Sequence, residues 1–194
     1  MSITDQYYEI NAKKYYDSTV TADVSSLREK FLAFIPEEGY ILDIGCGSGR
    51  DSKAFLDMGY KVSAIDGSEE LCKLARVHTG LEVKCADFIS LNETMCYNGI
   101  WACASILHVS TKDLPLLLEK MRNALVQGGV IYASFKYGDF EGERDGRYFT
   151  DMTENRFCQV LSNIRGLNIV EEWNSEDVIK NRNNMWYNVL LRKE

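Results

Sequence analysis

Histidine and proline are scarce in this chain of 194 residues: His78 and His108, Pro36 and Pro115. The six cysteines (Cys46, Cys72, Cys85, Cys96, Cys103 and Cys158) form no Cys-x-x-Cys pair. With two histidines beside them, zinc-ligand spacing is absent, so no metal is expected. Most of the cysteines read as small core residues of a protein kept in a reducing compartment. There is no cluster of Lys and Arg to offset 29 acidic against 22 basic residues, a net charge of −7. A nucleic-acid partner, which needs a basic footprint, is therefore not expected. The longest mostly apolar stretch, Gly99 to Val109, is far too short to span a bilayer. The opening "MSITDQYYEINAKKYY" lacks the basic start and apolar core of a signal peptide. A cytoplasmic protein with no membrane partner is the expectation.

Segments of helical and strand character alternate along the chain. Helices are expected at about Thr4–Ser18 and Val24–Phe34, before a buried strand in "YILDIG". "RDSKAFLDM" is a helix that Gly59 stops, "YKVSAID" a strand, and "EELCKLARVH" a helix capped by Ser68 and ending near Gly80. "LEVKCAD" and the nearly all-apolar "GIWACAS" are the third and fourth strands. Ser110 and Asp113 suggest a capping box for a helix to about Val126, followed by the strand "VIYASFK". Thr153 caps a helix to about Ile164, and "LNIVEEW" and "MWYNVLL" are the last strands. This alternation implies one α/β domain over residues 1–194. Its Rossmann-like, doubly wound, seven-stranded and mostly parallel sheet is covered by helices on both faces.

The stretch "ILDIGCGSGRDS" places three glycines in five positions at the end of the first strand. Glycines there remove Cβ atoms so that backbone can approach something closely. In doubly wound folds, ligands bind past the carboxyl ends of the strands. A dinucleotide fingerprint would put its third glycine at position 50, which is Arg50, and no Gly-Lys-Ser/Thr follows for a P-loop. Asp66 ends the second strand, 21 residues after Gly45, where an acid can accept from both hydroxyls of a ribose. Asp87 and Phe88 end the third, placed to meet an adenine amino group and its ring. The ligand reads as a nucleoside carrying a compact zwitterion in place of a diphosphate.

These residues resemble class I S-adenosylmethionine (SAM)-dependent methyltransferases. Asp43, Gly45, Gly47 and Gly49 match the first motif, while "YNGIWACASILHVS" and "LVQGGVIYASFK" match the fourth- and fifth-strand motifs. Asn98 stands where the family usually has an acid. "CGSGRDS", "WACASILHV" and "GRYFTD" are similar to small-molecule enzymes of the tellurite-resistance-related branch. The resemblance implies SAM as cofactor, S-adenosylhomocysteine as product and a small-molecule methyl acceptor, in a monomer or homodimer. It implies cofactor contacts at Asp43, Gly45, Cys46, Gly47, Arg50, Asp66, Gly67, Ser68, Asp87, Phe88, Ala102 and Cys103. Asp43 is expected to hold the loop amides. Residues 1–38 would form a helical cap, with Tyr15, Tyr16 and Thr19 at the methionyl end. An (Asp/Asn/Ser)-Pro-Pro-aromatic motif and a Pro-Cys pair are missing, which sets aside the amino- and C5-methylating nucleic-acid enzymes of this family.

His108, just past the fourth strand, is the candidate to orient the acceptor or take its proton. The aromatic-rich segment 137–150 is long for a connection and reads as a substrate lid. Tyr137, Arg144, Arg147 and Tyr148 there, with Trp186, are the acceptor-side candidates. If Asp66 lies at an open cleft, it contributes to ligand binding and little to stability. Two other readings stay open: a non-catalytic SAM-binding or partner-binding domain, and a nucleotide-dependent oxidoreductase.

Overall fold

The computed structural model describes residues 2–179 and 182–194. The first strand, β1 (Tyr40–Ile44), lies mid-sheet between β2 (Lys61–Asp66) and β4 (Tyr97–Ala102), parallel to both. The seven-stranded sheet has the order β3-β2-β1-β4-β5-β9-β8. Its remaining members are β3 (Lys84–Cys85), β5 (Leu125–Lys136), β8 (Leu167–Glu176) and β9 (Met185–Lys193). The β5–β9 and β8–β9 pairs are antiparallel, so the sheet is mostly parallel. The order reverses at β1 and β4, and their carboxyl ends open the crevice where such folds bind ligands.

Both faces of the sheet carry helices. On one, Phe31 of α2 (Ser25–Leu32) and Phe55 of α3 (Arg50–Asp57) pack on Trp101 and Tyr132, whose rings stack at 4.1 Å. On the other, Leu117, Leu118 and Met121 of α5 (Leu114–Ala124) and Phe157 of α6 (Glu154–Leu161) bury against Ile44, Ile131 and Phe135. Beside β2, α4 (Glu69–Thr79) packs Cys72 and Ala75 on Ala64 and Val83, with Ser68 as its N-cap. The helix α1 (Ile3–Thr19) lies over α4 and buries only Thr4, Ala12 and Thr19.

Several boundaries differ from the sequence reading. The strand expected at 81–87 shrinks to Lys84–Cys85, because the Val83 carbonyl is taken by the Arg76 guanidinium instead of a strand neighbour. The helix expected from Ser110 starts at Leu114, with Pro115 in its first turn, where a missing N–H costs nothing. Ser110 instead holds Asp113 in the preceding turn, and the backbone passes from α5 straight into β5 at Leu125. The helix capped by Thr153 ends at Leu161. Segment 137–150 contains an antiparallel hairpin, β6 (Glu141–Arg144) with β7 (Arg147–Thr150), turning at Asp145 and Gly146 with positive φ.

Candidate functional site

Two cavities open past the carboxyl ends of β1, β2, β4 and β5. One of about 470 Å³ is lined by Gly45, Gly47, Asp66, Gly67, Ser68, Asp87, Phe88 and Ser105, with Tyr148 at its edge. The second, of about 390 Å³, is lined by Thr19, Arg50, Cys103, Lys136, Arg147, Phe149 and Trp186, among others. Tyr8, Tyr15, Ala104 and His108 line both and form the wall where the cavities meet.

The glycine loop is built for close approach. Gly45 and Gly47 have φ of +74° and +54°; a Cβ would lie 2.4 Å from Ser105 Cβ at the first and 3.0 Å from Tyr15 Cε1 at the second. Part of what the bare backbone meets is thus the protein itself: the exit of β4 and the ring of α1. The Gly45 and Cys46 amides donate to the Ile65 carbonyl, and the Gly47 amide donates to Asp66 Oδ2 at 2.8 Å. Ser68 N donates to the other Asp66 oxygen at 2.9 Å. Asp66 is only 8% exposed. Burial pushes its carboxyl up to about 6, against the pull of these amides. It is no open-cleft residue, and the expectation that it adds little to stability is corrected on that ground.

Asp43 sits one layer deeper and accepts from the Ser52 hydroxyl at 2.6 Å; the loop amides go to Ile65 and Asp66 instead. Its burial, with Asp51 nearby, raises it to about 7. Asp51 is the anionic hub of α3. It accepts from Arg28 Nη1 at 2.7 Å, Arg50 Nη2 at 2.6 Å and Trp101 Nε1 at 2.9 Å. Burial opposes its charge, but the two guanidiniums and the indole overcome it and hold its carboxyl below the usual range.

At the shared wall, His108 Nδ1 lies 2.6 Å from the Tyr148 carbonyl oxygen, so that nitrogen carries the proton. The free Nε2 then accepts from the Tyr8 hydroxyl at 2.9 Å, and Arg147 Nη1 donates to the Tyr8 oxygen at 3.4 Å. Burial, helped by Arg147 and Lys136, lowers His108 to about 4 despite the carbonyl contact. Ala104, with φ of +52°, turns the chain away from β4 and is pinned by its amide's bond to Ser134 Oγ at 2.8 Å. Such a left-handed alanine costs about 1 kcal/mol, a strain held at the cavity wall.

Several sequence candidates lie outside both linings. Tyr137 is 43% exposed and donates to Glu154; Arg144 is paired with Asp151. Tyr16 sets its ring against His78, and Cys46 and Ala102 are core residues. Tyr7, Ser105 and Lys136 are cavity residues outside the sequence candidates, and Tyr8 and Phe149, noted only for helical spacing and as part of the aromatic-rich segment, line the cavities too. Tyr8 had a weak signal, its helical spacing from Tyr15; Lys136 ended a strand already assigned. Glu69, Cys72 and Cys85 bring three donor atoms within 4.8 Å of one another, a grouping that spacing alone could not show. Burial raises the Cys72 thiol to about 12, and Glu69 is engaged by Arg76. No helix among the described residues is long and apolar enough to cross a membrane.

A methyltransferase-domain family model matches residues 41–129, from β1 to the start of β5. An uncharacterized methyltransferase of Staphylococcus carnosus is 25% identical over 167 residues, 78% of this chain and 81% of that one. A ubiquinone biosynthesis O-methyltransferase of Xanthomonas oryzae is 29% identical over 102 residues, 48% of this chain and 41% of its own length. Among solved structures, the Burkholderia thailandensis 1,6-didemethyltoxoflavin-N1-methyltransferase aligns with a TM-score of 0.73 at 19% identity. That alignment covers 100% of this chain and 91% of that one, which holds 1,6-didemethyltoxoflavin and S-adenosylhomocysteine. The seven-stranded, Rossmann-like α/β fold is shared with these enzymes.

Proposed function

We propose that this chain is a class I S-adenosylmethionine-dependent methyltransferase acting on a small molecule. The observation that carries the reading is the glycine-loop cavity: a Cβ-free cradle, the buried carboxylate of Asp66 and the Asp87–Phe88 step converge on one nucleoside-sized space. A ligand's fit there has an independent sign. Ser105 Oγ is buried with no hydrogen-bond partner among the described residues, in a residue that lines this cavity. A polar ligand atom would satisfy it. The match of the family model and the shared fold support the same reading. The motif likeness to the tellurite-resistance-related branch belongs to the proposal and rests on "CGSGRDS", "WACASILHV" and "GRYFTD" alone.

Bound here, SAM supplies a sulfonium-activated methyl group. Asp66, holding two loop amides on one side, keeps lone pairs for ribose hydroxyls, and Phe88 offers a flat wall to the base. Tyr15, Arg50 and Cys103 carry the site across the shared wall toward the methionyl end. Because the chemistry is already activated, the protein must chiefly orient the acceptor and exclude water. His108 suits orientation better than proton removal, since a base held near 4 is a weak one at neutral pH. Residues 1–38 and the hairpin within 137–150 form the roof. Tyr148 N donates to Thr4 Oγ1 at 2.9 Å and ties the two together. Calorimetry tests the reading: micromolar binding of SAM and S-adenosylhomocysteine is expected, with little affinity for NAD. Tight NAD binding without SAM binding overturns it in favour of an oxidoreductase.

A further inference from the structure

The second cavity collects positive charge that the fold leaves uncompensated. In a chain of net charge −7, Lys136 and Arg147 line it, and neither forms an ion pair among the described residues. Arg50 and Arg144 nearby are different, since Asp51 and Asp151 neutralise them. Lys136 Nζ and Arg147 Cζ lie 4.4 and 5.0 Å from the centroid of the same Phe149 ring. Among the described residues Arg147 Nε is buried with no partner, and the side chain's one hydrogen bond is the 3.4 Å contact to Tyr8. A guanidinium held this way is costly unless something anionic completes it. Glu176 and Asp177 line the β8 side of the cavity, but Asp177 is engaged by Ile179 N and Asn184. Glu176 is exposed, and the lining also holds polar side chains such as Asn11, Ser134 and Asn188; the wall beside the two cations is aromatic. Tyr7 lies under Arg147 at 4.4 Å, and Trp186 is the register partner of Lys136 across the β5–β9 pair.

We propose that this cavity recognises a planar aromatic carboxylate, its anionic group between Lys136 and Arg147 and its ring against Tyr7 and Trp186. The proposal rests on the methyltransferase reading for calling that ligand the methyl acceptor. The guanidinium fork suits a carboxylate because its paired N–H groups match two oxygens in one plane. The position is apt as well: Arg147 touches Tyr8, and Tyr8 touches His108, at the wall shared with the glycine-loop cavity.

The test uses benzoate, with benzamide as its neutral counterpart, titrated calorimetrically into protein saturated with S-adenosylhomocysteine. Benzoate should bind at least tenfold more tightly than benzamide. Arg147→Met and Lys136→Met should each remove most of that preference and leave S-adenosylhomocysteine affinity within twofold. Arg147→Lys should retain part of it. Equal affinity of the wild-type protein for the two probes overturns the proposal, as does a preference that survives both Met variants. If Arg147→Met does not fold, Lys136→Met and the wild-type comparison still decide. If the wild-type protein fails to bind S-adenosylhomocysteine, the methyltransferase reading falls. The benzoate preference, measured on the unloaded protein, then judges the anion site by itself.

Discussion

Asp66 holds the scaffold and, on the proposed reading, meets the ribose, and two substitutions separate the roles. It accepts the Gly47 and Ser68 amides at 2.8 and 2.9 Å from a position 8% exposed. Asp66→Ala leaves both amides unpaired and should cost about 2–4 kcal/mol of stability. Asp66→Asn keeps the shape and one oxygen acceptor while removing the buried charge. That charge has a cost of its own. A carboxyl at about 6 when folded, against an ordinary 3.8, disfavours the folded state by about 3 kcal/mol once ionised. The group's stabilising contribution is thus present below 3.8 and lost as pH rises through about 6. Loss of a charge-assisted amide bond and relief of this cost offset each other, so Asp66→Asn should hold near wild-type stability at pH 7.5. Its affinity for SAM should still fall by about 1.5–3 kcal/mol, because the charged acceptor for the ribose hydroxyls is gone. Urea denaturation and calorimetry read the two quantities. The stability difference between wild type and Asp66→Asn should also shrink from pH 4 to pH 6, while Asp43 and His108 cancel. Wild-type SAM affinity in Asp66→Asn refutes the assignment.

Asp51→Ala strands the buried Arg28 and Arg50 charges and should cost about 3–5 kcal/mol in urea denaturation. A loss below about 1 kcal/mol would show that the hub is not what stabilises the start of α3. His108, held near 4 against an ordinary 6.5, gives stability that is complete above 6.5 and lost as pH falls toward 4. Its imidazole proton resonance, assigned by its absence in His108→Gln, should titrate well below pH 6; a midpoint near 6.5 contradicts the buried, tautomer-fixed ring.

The glycine loop, Asp66 and the Asp87–Phe88 step were legible in the sequence because backbone conformation and strand ends write themselves locally. Asp145–Gly146 between short alternating runs was a hairpin signal of the same local kind, and reading 137–150 as one long segment passed over it. Pro115 likewise marked the true start of α5. The wall of the site was not legible. Tyr7, Tyr8, Tyr15 and Tyr16 look alike on one helix, and only folding sets Tyr8 on His108 and Tyr16 on His78. The separation of Arg144 from Arg147 is also tertiary. Three residues apart in one hairpin, both lie over the Phe149 ring, but Arg144 alone is paired with Asp151.

That last contrast bears on how α1 is attached. The helix buries little apolar surface, so its docking relies on polar tethers drawn from the elements around both cavities. Ser68 Oγ donates to Glu9 at 2.7 Å, Tyr148 N to Thr4 at 2.9 Å and Tyr8 to His108 at 2.9 Å. Each tether ends on a residue that lines the glycine-loop cavity. A roof secured in this way exchanges hydrogen bonds with water when it lifts and exposes few apolar atoms. Its opening therefore costs less than disturbing the sheet beneath, where Trp101, Tyr132 and Phe55 are fully buried. The sheet fixes the glycine loop and Asp66, while the helix above them is held largely by polar contacts.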